Sequence, residues 1–247
     1  MGKLGGTFRT IVFVVIAVVG GRLLTEGGFA IFQPPMTEAE IAAVAEDSGI
    51  GAVYQAIDTY FPEDAAEWRD EMNSIINRGR RGLTRGNEAL EVGARIRRRH
   101  AHLLATAPDR LLRRSIAYQG QLLATVADDP ESCARMAIGG AATLSPAQRE
   151  ALFPLLDDGA IVFEAIHAGR ETPVSHGPAT EADWINLFAQ LSRRGVTPED
   201  LETLQDPEAD PATICRTSKA FIDAVANANF VGAARIRAET AVLLYSI

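Results

Sequence analysis

Residues 109–127 read Asp109-Arg110-Leu111-Leu112-Arg113-Arg114-Ser115-Ile116-Ala117-Tyr118-Gln119-Gly120-Gln121-Leu122-Leu123-Ala124-Thr125-Val126-Ala127. Wound at 3.6 residues per turn, Leu112, Ile116, Leu122, Leu123 and Val126 fall on one face, while Arg110, Arg113 and Arg114 fall mostly away from it. The stretch is an amphipathic helix with a face to bury. A second helical pattern, Asn87 to Ala105, precedes it, and Thr106-Ala107-Pro108 joins the two as a hairpin. No strand-type alternation occurs along the chain. Aromatic residues make up 6% of the composition while Ala and Leu abound, a balance that favours helices. The fold class is therefore all-α, an irregular multi-helix bundle, and the lack of a fixed-period repeat argues against a solenoid.

Helix starts can be placed from local chemistry. Thr37-Glu38-Ala39-Glu40 has the spacing of a capping box, in which the Thr hydroxyl accepts from a backbone N–H and the acid reaches back. Ile41, Val44 and Ala45 then run at helical spacing to about Asp47, Val53, Ile57 and Tyr60 mark a second helix, and Phe61-Pro62 opens a third with Trp68, Met72, Ile75 and Ile76. Asn77 to Gly86 reads as an arginine- and glycine-rich loop. Asp129-Pro130 and Asp210-Pro211 each supply a cap followed by a Pro suited to the first helical position. Ser145-Pro146-Ala147-Gln148 begins a helix that Pro154 is expected to kink before Ile161 and Ile166, and Gly169 to Ala179 reads as a linker. Beyond it, Thr180 and Thr197 cap further helices, and the chain ends in helices from Cys215 to Ala226 and from Val231 to Leu244.

At the amino terminus, Ile11 to Val19 is an uninterrupted apolar run with Lys3 and Arg9 before it and Arg22 after it. A membrane crossing needs about 20 residues. Phe8 to Leu24 approaches that length, with arginines at both ends able to snorkel towards headgroups. We read residues 1–26 as a single transmembrane anchor, the alternative being a cleaved signal. Residues 27–36 form a tether, 37–168 an N-terminal helical half containing the basic hairpin, 169–179 a linker and 180–247 a C-terminal half. The basic flank keeps the amino terminus in the cytoplasm. The expected location is a bacterial inner membrane with the body in the periplasm, or the periplasm itself if the signal is removed.

The net charge of −8 is unevenly distributed: Arg69 to Arg114 carries +7, while the body outside that segment and the amino terminus carries −17. Glu91, Arg95, Arg98 and His102 share one helical stripe with Arg99 beside it, and a fold-back at Pro108 would set Arg113 and Arg114 opposite. Arg95, Arg98, Arg99, Arg113 and Arg114 are thus the candidate anion- or partner-binding residues, with Arg95 paired to Glu91 and Arg98, Arg99 and Arg114 largely free. A protein partner or an anionic surface suits this cluster better than nucleic acid, because no base-stacking aromatics are interleaved.

Cys133 and Cys215 each sit about one turn into an Asp-Pro-started helix, and two cysteines in an oxidising compartment argue for one disulfide. Glu164-Ala165-Ile166-His167 has the Glu-x-x-His spacing used by di-iron bundles, but its second copy is missing, so Glu164 and His167 are weak metal candidates and no cofactor is implied. No Gly-x-Ser-x-Gly, Walker or dinucleotide motif occurs. The sequence reads as a membrane-anchored, periplasm-facing binding or scaffold protein, an accessory subunit of an envelope assembly. The alternative is an envelope hydrolase whose site assembles near His167 or His100. The anchor reading predicts an intact mass, measured on protein from membranes, that retains residues 1–26; a mature chain beginning at or after Arg22 would replace the anchor with a processed signal.

Overall fold

The computed structural model describes residues 37–47, 49–77, 83–206 and 208–246. The apolar run and the 27–36 tether lie outside these residues, as do Arg78, Arg80 and Arg81 of the expected loop. The described chain is 80% helix without strands. The helices are α1 (Glu38–Asp47), α2 (Gly51–Tyr60), α3 (Pro62–Asn77), α4 (Leu83–His100), α5 (Asp109–Thr125), α6 (Pro130–Gly139), α7 (Pro146–Glu150), α8 (Ala160–Glu171), α9 (Glu181–Arg193), α10 (Pro198–Glu202), α11 (Pro211–Asn227) and α12 (Ala233–Ser246). Two compact units divide between Gly93 and Ala94, within α4, and the 169–179 segment lies inside the second unit.

The first unit is built around α1, α2 and α3. Thr37 forms the expected capping box, its N–H donating to Glu40 at 2.8 Å and its hydroxyl accepting from the Glu40 N–H at 3.3 Å. Ile41, Ala45, Tyr54, Ile57, Phe61, Ala65 and Trp68 are buried, and the Tyr54 and Trp68 rings pack with centroids 5.0 Å apart. Arg69 of α3 donates to Asp58 of α2 at 2.7 Å.

The second unit is organised on α5 and α11, which pack along each other; Leu111, Leu112, Ile116 and Leu123 of α5 and Ile222 and Val225 of α11 are buried. On α11 lies α6, where Cys133 and Cys215 are joined with their Cα atoms 5.3 Å apart, as expected. Both Asp-Pro starts work as read: Asp129 accepts from the N–H of Ser132 at 3.4 Å, and Asp210 from that of Thr213 at 3.0 Å. The helices begin at the prolines, Pro130 and Pro211, with Cys133 and Cys215 one turn in. Ser145, Thr180 and Thr197 all close capping boxes.

Three local expectations change. Residues 83–86 belong to α4 rather than to a loop, and α4 stops at His100, where 3-10 turns carry the chain through Ala101–Thr106. Between α7 and α8 the chain forms two short 3-10 turns, Phe153–Leu155 and Asp157–Gly159, in place of one kinked helix, because Pro154 supplies no N–H to continue the ladder. The 169–179 segment is tied down along its length: Val174 donates to the Thr106 carbonyl at 2.8 Å, the His176 ring to the Ala107 carbonyl at 2.7 Å, and Ala179 to Glu239 at 2.7 Å. Gly169 makes this corner possible, since a Cβ there would collide with the Leu103 carbonyl oxygen.

Helix α12 closes the unit, packing on the Ala101–Thr106 turn, α5, α11 and α9. Its Arg237 side chain is 3% exposed and grips Asp109, the first residue of α5, with two bonds of 2.7 and 2.9 Å; its remaining nitrogen donates to the Val225 and Ala228 carbonyls at 3.2 and 2.8 Å, where α11 ends. Two positions earlier, Arg235 takes Asp183 of α9 in the same two-bonded way at 2.8 and 2.9 Å. That pairing, with the bonds from Thr180, holds the Asp183 carboxyl well below the usual carboxylate range. Gly232, with φ +95°, leaves room for this carboxylate, which any side chain there would strike. Asp109→Ala would leave the Arg237 guanidinium buried on carbonyls alone, and a loss of about 3 to 5 kcal/mol is expected in urea unfolding at neutral pH.

Candidate functional site

The first turns of α5 carry three arginines in succession along the outside. Arg110, Arg113 and Arg114 are exposed, and Ala117, Gln121 and Ala124 continue the same face. They stand outward because the opposite side of α5 holds Leu111, Leu112, Ser115 and Ile116 in the core. Arg110 and Arg113 enter no ion pair among the described residues. One flank of this face is α8 and the other α11, whose Asp223 carboxylate lies against α5 at Gly120 and is bonded by Lys219 at 3.1 Å.

The neighbour of Arg114 is α8. Its Nη1 lies 3.7 Å from Glu164, with both side chains about half exposed, so the expectation of a free Arg114 is replaced by a loose surface pair. The fold-back at Pro108 was expected to present Arg95, Arg98 and Arg99 to Arg113 and Arg114. Instead, α5 packs most extensively on α11, then α12, then α8. Arg95, Arg98 and Arg99 remain on α4, each engaged with a neighbouring group, as is Glu91, so Arg98 and Arg99 are not the free cations expected either.

Arg97, which the stripe reading left out, sits over the buried Tyr245 ring, 5.5 Å from its centroid. The Tyr245 hydroxyl donates to the Ser115 carbonyl at 2.6 Å, and burial raises its pKa; burial likewise pushes neighbouring Tyr118 up to about 12. This cluster holds the end of α4 to α5 and α12. A single Arg within the run Arg97-Arg98-Arg99 carries no sequence mark that would have separated it from its neighbours.

The Glu-x-x-His pair belongs to the basic face. Glu164 faces Arg114, and His167 accepts at Nδ1 from Arg170 at 3.3 Å, while Arg170 also donates to Glu171 at 2.8 Å. Along α8 these groups pair with arginines on either side rather than forming a converging ligand set. Among the described residues no group of three His, Cys, Asp or Glu side chains is placed to hold a metal ion. His176 is used by the Ala107 carbonyl, and His102 is exposed at the turn after α4.

A second polar cluster lies at the start of α6. Ser132 is buried, donates to Asp129 at 2.5 Å, and accepts from Arg135 at 3.1 Å and from the Gln148 amide. Gln148 also donates to Asp129 at 3.1 Å, and the Ser132 bonds lead the causes that lower the Asp129 pKa. The group ties the first turns of α6 and α7 together.

No protein-family model, curated protein or solved structure matches this chain. The chemistry of the site therefore has to be read from its own geometry. Exposed guanidinium groups donate in a planar fork that fits phosphate and carboxylate oxygens. They stand here on a helix surface without an exposed large apolar residue, for Ile138, Val174, Ile185, Phe188, Val231 and Leu243 all lie on other elements. Because Glu164 and His167 are already occupied, excess Zn²⁺ is expected to leave the melting temperature unchanged in calorimetry; a saturable rise abolished by His167→Ala would show that these pairings open to take a metal.

Proposed function

We propose that this chain is a membrane-tethered helical protein that works by binding an anionic partner, as an accessory or scaffold subunit on the periplasmic side of a bacterial inner membrane. Support for the address comes from sequence: Lys3 and Arg9, the Ile11 to Val19 run and Arg22 have the order of an anchor with a cytoplasmic amino terminus. Among the described residues no helix is long and apolar enough to cross a membrane, and the run itself lies outside them.

Binding is favoured by what the polar groups are used for. Arg237, Asp109, Arg235, Asp183, Ser132, Asp129 and His176 each join one element to another. The observation that carries the proposal is the placement of Arg110 and Arg113, exposed and without an ion pair among the described residues, in the first turns of α5. The amino-terminal end of a helix is its positive end, so cations there weaken the helix by a few tenths of a kcal/mol or more. A solvent-facing position tolerates many residues, and two arginines at this end fit an anion that lies outside the molecule.

The proposal predicts that the full chain in detergent, although its net charge is −8, is retained by phosphocellulose at low salt and released as salt rises. Arg110→Glu combined with Arg113→Glu should abolish retention while changing stability by less than about 1 kcal/mol. Absence of retention in the unmodified chain would overturn the anion-binding reading.

A further inference from the structure

The anion the basic face would meet can be narrowed by what the face lacks. Protein interfaces draw their affinity from large apolar or aromatic anchors seated in pockets, with arginines as partners to them. Around Arg110, Arg113 and Arg114 the exposed positions are Ala117, Gln121 and Ala124, and none of the exposed large hydrophobic residues is on α5, α8 or α11. The flanking polar groups are Glu164 with His167 and Arg170 on one side and Asp223 with Lys219 on the other. A peptide laid on this surface would find cations but no anchor. Phosphate headgroups need only the cations.

The chain outside the described residues supplies the second argument. Ten residues, 27–36, separate the anchor segment from the body, and ten residues span at most about 36 Å. On the anchor reading, on which this inference rests, residue 37 stays within that distance of the bilayer and α5 is carried by a chain held to the same membrane, where a weak surface contact becomes an intramolecular one. Arginines near an anionic leaflet gain roughly fivefold in occupancy each.

We infer that the Arg110, Arg113 and Arg114 face of α5 docks on anionic phospholipid headgroups of the membrane that holds the chain. The bilayer then orients the second unit, with α5 lying along the surface.

The full chain can test this directly, because Cys133 and Cys215 are joined and Ala117→Cys, in the middle of the face, would be the one free thiol among the described residues. A dye on that thiol reports energy transfer to an acceptor lipid in two kinds of vesicle, phosphatidylcholine alone and phosphatidylcholine mixed with phosphatidylglycerol. Transfer should rise with phosphatidylglycerol and fall back to the neutral-lipid value at high salt. Arg110→Ser with Arg113→Ser should lower occupancy of the docked state roughly thirtyfold at an unchanged melting temperature. Transfer that ignores phosphatidylglycerol would overturn the inference, and if added polyglutamate protects the dye under those conditions the occupant is an acidic polypeptide. Failure of the chain to float with phosphatidylcholine vesicles at all would instead remove the anchor reading beneath it.

Discussion

The guanidinium of Arg237 is a charge kept from water, and the second unit is arranged so that it can be. Asp109 supplies both carboxylate oxygens from the start of α5, and the Val225 and Ala228 carbonyls supply the rest from the end of α11. A buried ion is tolerated only when such bonds replace its hydration. The positive end of one helix and the negative end of another thus meet at one side chain, each placed where the helix dipole favours it. Three helices are held at fixed separation and rotation by that requirement, which generic packing of Leu and Ile would leave looser.

Similar pairings recur along the unit. Asp183 in the first turn of α9 takes Arg235, and Asp200 in the first turn of α10 takes Arg216 from α11 at 2.7 Å. Acids at helix starts serve twice, capping their own backbone and binding an arginine from a later helix. The arginines in the first turns of α5 run against this pattern, because Asp109 is already given to Arg237 and the cations beyond it face outward. Arg235 and Arg237, also in the first turns of a helix, take carboxylates, whereas Arg110 and Arg113 enter no ion pair among the described residues, and that difference makes the α5 face the functional candidate.

Local chemistry made a good part of this fold legible. The capping boxes at Thr37, Ser145, Thr180 and Thr197 and the two Asp-Pro starts depend on residues three apart, and each is present as read. The cysteine pairing followed from the count of two and their matching Asp-Pro settings, on an expected oxidising compartment. What could not be read depends on distant partners: nothing near Arg237 in the sequence marks it as buried, and Gly169 looks like a helix end until the Leu103 carbonyl is seen against it. The same limit applied to the site. Arg113 and Arg114 were visible as a cluster, whereas the arrival of α8 beside them, bringing Glu164 and His167 into one surface, rests on the corner at Thr106 and Gly169.

Chain order gives the closing helix a further consequence. A ribosome or translocation channel delivers Asp109 128 residues before Arg237, and Cys133 82 residues before Cys215. Until α12 emerges, α5 and α11 have no partner along the faces it covers, and the Ala101–Thr106 turn has no floor. The contacts that α12 makes with α5, α11 and the Ala101–Thr106 turn are therefore the last that the chain can form as it is made. A chain that stopped before Arg237 would leave Asp109 without its guanidinium and the Val225 and Ala228 carbonyls without their donor.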